Sequence, residues 1–280
     1  MRCPFCHLTI KNASYRKLTS KQVLANLKEA ITDQLKEKPQ LADSFVKLSW
    51  MGMGDAVNQP NLVRDVSLEI IDWILANKYA KGLDGVDLST VLPKVSDEWI
   101  PVFAGMESML AHYPRNPVYT MDNLSYTNGA YKQRNLFRLF YSIHSALQPQ
   151  RDKVVPNALP LDQAITNLKE YESNGANTLI LHHMIVQDLN DSEPELEALA
   201  TLVNDHFETN ELRILRYNFC AKSPYKESDT FLRQIRYLSE KIPFLKVQVS
   251  PGSEVSAACG QFIVKNFVRN SPNARKPKQA

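Results

Sequence analysis

Apolar residues return at Leu24, Leu27, Ile31 and Leu35, a spacing that lays them along one face of a helix. Thr19 and Gln22 supply a T-x-x-Q capping box for its start, and Pro39 predicts its stop. Ser44 to Trp50 then mixes aromatic, β-branched and apolar residues in a short run ending in Gly52 and Gly54, which predicts a buried strand closed by a tight turn. A second helix follows with Leu62, Val66, Ile70 and Ile74 on one face. The same pattern predicts strands at Val118 to Met121 and Leu136 to Ile143, a helix at Leu161 to Tyr171 and a strand at Thr178 to Val186. It continues with a helix carrying Leu196, Leu199 and Val203, a strand at Leu212 to Tyr217, a helix carrying Phe231, Ile235 and Leu238, and a strand at Leu245 to Val249. Strands alternating with helices predict an α/β fold with a mostly parallel sheet and right-handed crossovers, as a barrel or an open sheet. Ala80 to Pro114 fits this alternation poorly. Its Trp99, Phe103, Met106 and Met109 read as an inserted helical lid or packing element.

In such folds the ligand sits beyond the C-terminal ends of the strands. Gly52 to Asp55, Ser142 to Ser145, Gln187 to Asp191 and Asn218 to Tyr225 fall there, so these segments are where chemistry is expected.

Composition narrows the class without naming a function. With 280 residues, 44% hydrophobic and only 9 Gly, the chain has an ordinary core and is neither collagen-like nor disordered. No apolar run approaches the roughly 20 residues that cross a bilayer, so no membrane association is expected. Cys3, Pro4 and Cys6 interrupt the place where an export signal would need an apolar stretch; a cytoplasmic protein is expected. Net charge is +3, from 33 basic and 30 acidic residues, which by itself marks no nucleic-acid binder. Residues 263–280 form a basic end with Lys265, Arg269, Arg275, Lys276 and Lys278; a solvated tail is favoured there over a phosphate contact. Four cysteines at these spacings make no disulfide scaffold.

Cys3-Pro4-Phe5-Cys6 is a C-x-x-C, able to bind one edge of a metal or cluster or to form a redox pair. A zinc knuckle is disfavoured, because the next cysteines are Cys220 and Cys259 and no second pair follows. Taken singly, the remaining candidates have plain readings. Gly52 and Gly54 make a turn, His144 is a core histidine or a site residue, Asn218 caps a strand end, and Cys220 and Cys259 are small buried hydrophobes.

Taken together and in order, these segments resemble the adenosine-C2 RNA methyltransferases of the radical S-adenosylmethionine (SAM) superfamily. Cys3 and Cys6 match the last two cysteines of C-x-x-x-C-x-x-C, and Arg16-Lys17-Leu18-Thr19 matches R-N-L-T with Lys for Asn. Met51-Gly52-Met53-Gly54-Asp55 is similar to M-G-M-G-E, and Ser142-Ile143-His144-Ser145-Ala146 to the S-L-H-A segment. Arg151-Asp152-Lys153 with Pro156 matches R-D-K-x-x-P, and Asn190-Asp191-Ser192 matches N-D-S. Asn218 through Ser223-Pro224-Tyr225 resembles N-P-x-x-G-S-P-Y, and Ala257-Ala258-Cys259-Gly260-Gln261 reproduces A-A-C-G-Q. The matches span Cys3 to Phe262 and thin near 80–114 and around Tyr126 to Gly129.

The resemblance implies a partial (β/α) barrel over 1–262, its first strand missing, followed by the tail. It implies a 4Fe-4S cluster with Cys3 and Cys6 among its ligands, and SAM held by Gly52, Gly54, Asp55, Ser142, His144 and Asn218. Asp55 would face the amino group of SAM on a shorter stem than the family's Glu. Cys259 would accept a methyl group and carry it to an adenine of ribosomal or transfer RNA, at C2 in preference to C8. An electron donor such as flavodoxin is implied, and a monomer is expected. The first cluster cysteine, a second catalytic cysteine, the first barrel strand and an RNA-binding domain would precede Met1. A late start is the favoured explanation, against another ligand or an inactive remnant. The competing class is therefore a non-catalytic SAM- or RNA-binding protein.

Overall fold

The computed structural model describes residues 3–6, 9, 16–52, 54–94, 98–117, 124–127, 130–133, 135–175, 178–208, 210–218 and 223–249. Helix α1 (Ser20–Glu37) starts on the capping box: Thr19 Oγ1 accepts from the Gln22 amide at 3.3 Å while Gln22 Oε1 accepts from the Thr19 amide at 3.0 Å. After it come β1 (Phe45–Trp50) and α2 (Pro60–Ala76), the latter opening on a proline whose missing N–H has no partner to lose there. The central strands are β2 (Gly82–Thr90), β5 (Phe137–Ser142) and β6 (Thr178–Met184), with β7 (Glu211–Leu215) and β8 (Leu245–Gln248) beyond them. Helices α3 (Trp99–Ala104), α4 (Met106–Leu110), α5 (Gln148–Val154), α6 (Leu161–Ser173), α7 (Glu193–Phe207) and α8 (Phe231–Ser239) connect them. A separate antiparallel hairpin joins β3 (Leu124–Thr127) to β4 (Ala130–Gln133). The strand expected at Val118 to Met121 lies outside the described residues.

The six-stranded sheet runs β1-β2-β5-β6-β7-β8 and every pair is parallel. Spatial order follows chain order without a reversal, which is how a (β/α) barrel grows; a doubly wound sheet would switch direction in its middle. The α/β, mostly parallel architecture expected from the hydrophobic pattern is the one observed.

The two faces of this sheet differ. Leu48, Val86, Leu88, Leu139, Tyr141, Leu181 and Ile214 point one way, and they share a single core with Val63 and Ile71 of α2, Phe103 of α3, Leu168 of α6, Leu199 of α7 and Leu238 of α8. The alternate positions are mostly polar, though Phe140, Ile180, Met184 and Leu215 are among them. Ser49 pairs in register with Asp87, Asp87 with Arg138, and Arg138 with Thr178. Two layers closer to the strand ends, past Phe140 and Ile180, Ser142 stands beside His182 and His182 beside Arg213. Charges on this face are neutralised in place: Arg138 Nε meets Asp87 at 2.5 Å, Lys47 reaches the same carboxylate at 3.4 Å, and Glu211 holds both Arg213 at 2.5 Å and Lys246 at 2.7 Å. A parallel sheet covered by helices on both sides reads as continuous apolar strands. This alternation instead marks one helix-packed face and one face turned to a polar interior.

The reading of 80–114 as a helical insertion is corrected in its first part, because Gly82–Thr90 is the second strand of the main sheet. Its glycines and aspartates, which look like loop chemistry, each answer a neighbour. A Cβ on Gly82 would lie 2.3 Å from the Pro114 carbonyl oxygen. Gly85 sits at φ +151° beside a register shift, and a Cβ there would lie 2.4 Å from Arg138 Nη2 and 2.8 Å from the Leu136 carbonyl oxygen. Asp84 accepts from Asn116 at 2.9 Å, and Asp87 pairs with buried Arg138. The helical second part joins the main core: Trp99 packs on Tyr171 at 5.8 Å and Phe103 stacks on Phe137 at 5.5 Å. It is the ordinary crossover covering of the sheet, with no lid to lift. Among the described residues, no helix is long and apolar enough to cross a membrane.

Candidate functional site

The loops after β1, β2, β5 and β6 meet at one end of the sheet, and the C-x-x-C segment lies against them. Phe5 packs on the His144 ring at 4.8 Å. Cys3 is buried with Val154, Val155 and Ala158, and Phe5, Cys6, Val91 and Leu189 pack around that cluster. The Cys6 amide donates to the Cys3 carbonyl at 3.1 Å, closing a tight turn between the two cysteines. Burial first, and the neighbouring Cys6 second, push the Cys3 thiol up to about 11; a bound cation would reverse that preference, since a coordinating thiol is deprotonated. Among the described residues no group of three or more His, Cys, Asp or Glu is disposed to hold a metal ion.

After β1 the chain turns through Gly52 and Gly54, both exposed. Gly54 has φ +85°, which favours glycine; neither residue would meet any atom within 4 Å if it carried a Cβ. Space, then, lies open above this turn. Asp55 Oδ2 accepts from Thr90 Oγ1 and the Val91 amide, each at 3.0 Å, and Oδ1 accepts from the Val57 amide at 3.2 Å. Desolvation raises its pKa, and these donors hold it back. The carboxylate therefore ties the end of β1 to the end of β2, with acceptor capacity left for one more donor.

The end of β5 is built by buried polar groups. Ser142 Oγ lies 3.4 Å from Ser89 Oγ. His144 adopts φ +59°, and its Nδ1 is sealed without a partner; burial first, then His183, Arg151 and His182, lower its pKa to about 3. The imidazole is neutral at physiological pH. Its backbone carbonyl accepts from Asn190 Nδ2 at 2.5 Å, and the same amide group donates to the Met184 carbonyl at 2.8 Å. Asn190 Oδ1 accepts from the Val186 amide at 2.8 Å, so one buried side chain locks the loop after β6 onto the loop after β5. Arg151, 1% exposed, donates to the Ile143 carbonyl and, at 3.0 Å, to the Val91 carbonyl, stapling the ends of β5 and β2. Ser145 donates to the Glu195 carboxylate at 2.9 Å, anchoring the same turn to the first turn of α7.

Cys3, Cys6, Asp55 and His144 are thus brought together, with Ser142 directly beneath on the polar face. Asn218 is half-buried three residues past β7, at the same end of the sheet. Cys259 and Cys220, with the tail 263–280, lie outside the described residues. Arg151, Asn190 and Ser145 were legible only as parts of the R-D-K, N-D-S and S-L-H-A matches, which gave them no role, and Glu195 fell in none of them.

No family model matches the chain. It is similar to "Ribosomal RNA large subunit methyltransferase Cfr" of Clostridium botulinum, 24% identical over 245 residues that make up 85% of this chain and 61% of that protein. The protein of the same name from Shouchella clausii is 27% identical over 245 residues, 84% of this chain and 59% of the relative. "Probable dual-specificity RNA methyltransferase RlmN" of Clostridioides difficile is 29% identical over 129 residues, 44% of this chain and 37% of the relative. The chain spans about six tenths of the length of the first of these relatives. In fold it resembles a radical SAM methyltransferase from Sphaerobacter thermophilus, with a TM-score of 0.62 and 19% identity, covering 92% of this chain and 65% of the other. SuiB of Streptococcus suis, solved with S-adenosylmethionine, follows at a TM-score of 0.54 and 12% identity, covering 89% of this chain and 47% of the other. The similarity to radical SAM RNA methyltransferases read from the motifs is the one these comparisons find.

Proposed function

We propose that this chain is the SAM-binding barrel of an RNA methyltransferase of the radical SAM type, with residues 1–262 as the barrel. The observation that carries this reading is the packing of the C-x-x-C loop on His144, through Phe5, at the strand ends where the open glycine turn also lies. SAM suits the residues present. Its amino group meets the spare acceptor capacity of Asp55, the room over Gly52 and Gly54 admits its methionine end, and the polar layer with Ser142 receives the nucleoside. His144 shapes the wall, its imidazole neutral and its carbonyl fixed by Asn190. Asn218 closes the far side.

The 4Fe-4S cluster is a different case. Cys3 and Cys6 offer two thiolates, and the described residues complete no set of three. Cys3 and Cys6 would be among the ligands of a cluster bound there, which would supply the electron for cleaving SAM. Cys259 is proposed as the residue whose thiolate takes the methyl group of one SAM, a C–S bond forming as the sulfonium's S–CH3 bond breaks and S-adenosylhomocysteine leaves, so that the resulting thioether holds the carbon destined for an adenine of RNA. C2 is favoured over C8 because the A-A-C-G-Q setting and the other motifs resemble the adenosine-C2 enzymes.

The test is anaerobic reconstitution, with iron and sulfide, of a form of the protein extended upstream to carry a third cysteine, followed by incubation with SAM, reductant and a ribosomal RNA fragment. Formation of 5′-deoxyadenosine and of methyladenine is expected, with added methyl mass on the peptide holding Cys259. SAM binding without either product would leave a non-catalytic SAM-binding protein, and the enzyme reading would fall.

A further inference from the structure

The polar face of the sheet contains one side chain that the reading above leaves unused. His182, in the middle of β6, is 4% exposed, and its Nε2 is buried without a hydrogen-bond partner. Buried imidazole nitrogens are normally satisfied, so an orphaned one invites a partner the protein itself does not supply. The surroundings specify that partner. In register, His182 lies between Ser142 of β5 and Arg213 of β7. Its ring packs on Phe140 at 4.7 Å, and Arg213 lies over the same phenyl ring at 5.4 Å. Arg213 is already engaged by Glu211 at 2.5 Å and by Gln248 at 3.1 Å, so this patch is polar and aromatic without being a free cation.

We infer that His182 is a contact to the nucleoside part of SAM, an inference that rests on the SAM reading given above. A neutral imidazole has one donor and one acceptor, which matches a sugar hydroxyl or an adenine edge and matches a carboxylate poorly. Position agrees with chemistry. The acid suited to the amino group, Asp55, follows β1, whereas His182 stands three strand spacings away, about 14 Å along the sheet. Ser142 lies beside it, and Asn218 follows the next strand. The charged and nucleoside ends of one extended molecule would therefore fall on opposite sides of the sheet, with His182 under the latter.

Two ligands that need no electron separate the ends: S-adenosylhomocysteine, which keeps both, and 5′-methylthioadenosine, which lacks the amino acid. Calorimetry on the full chain should give about tenfold weaker binding of both for His182→Phe, which keeps the ring stacked on Phe140 but removes the nitrogens, and near-normal binding for His182→Gln. Asp55→Asn should weaken S-adenosylhomocysteine alone. Should His182→Phe fail to fold, the ring nitrogen shifts of His182 in the unmodified chain must still move when 5′-methylthioadenosine is added. Unchanged affinity for both ligands in His182→Phe, or unmoved ring shifts, overturns the inference while leaving SAM binding intact. Loss confined to S-adenosylhomocysteine moves His182 to the methionine end and overturns it too. A chain that binds neither ligand before any substitution defeats the SAM reading itself.

Discussion

Individual buried side chains carry the sensitivity of this protein to acid. His182 and His183, 4% and 1% exposed, occupy adjacent positions of one strand and so serve opposite faces of the sheet. Burial is the leading cause in both, and it lowers each pKa from 6.5 to about 3. An unfolded chain takes up these protons as pH falls through 6.5, and the folded chain does not until about 3, so the native state loses ground throughout that window. Above pH 6.5 neither residue contributes a slope. At pH 5 the penalty is roughly 2 kcal/mol per histidine, or roughly 6 once His144, likewise lowered to about 3, is added. Urea melts at pH 7.5 and pH 5 should differ by about that amount, and His183→Asn should remove about a third of the difference. Equal stabilities at the two pH values would mean that these rings gain protons while folded.

At the scale of elements, the two glycine-bearing segments make opposite demands. Gly85→Ala should destabilise the fold by about 2 kcal/mol or more, because its φ of +151° and the 2.8 Å approach of the Leu136 carbonyl leave no place for a methyl group. Gly52→Ala meets nothing within 4 Å, so its melting temperature should stay within about 2 °C of the parent and any loss of SAM affinity would report on the ligand. The same contrast explains what could be read from the chain in advance. Helices α1, α2, α6, α7 and α8 follow from apolar spacing because each buries one face, α1 against α2 and the others against the sheet. Strand β2 escaped because Gly82, Asp84, Gly85 and Asp87 mimic a loop, and their reasons lie with Pro114, Asn116 and Arg138, distant in sequence. Site positions at strand ends were legible as motifs. The work of Arg151 and Asn190 was not, since both act on backbone carbonyls of other loops, and such contacts leave no periodic mark.

Across the whole molecule, a single strand has two jobs assigned to alternate residues. On β6, Leu179, Leu181 and His183 face the helix-packed core, while Ile180, His182 and Met184 face the polar side. Leu181→Ala should cost about 2 to 5 kcal/mol, the range for emptying a packed leucine site. A saturation library of β6 scored for cellular abundance should therefore lose more variants at Leu181 than at Met184; a flat profile would contradict the division of faces. The division has an evolutionary consequence. Because neighbouring residues on a strand are shielded from each other by the sheet itself, drift on the polar side can retune what the barrel accepts without passing through unfolded ancestors. Descendants of such a scaffold can then diversify in substrate at nearly constant heat tolerance, one alternate residue at a time.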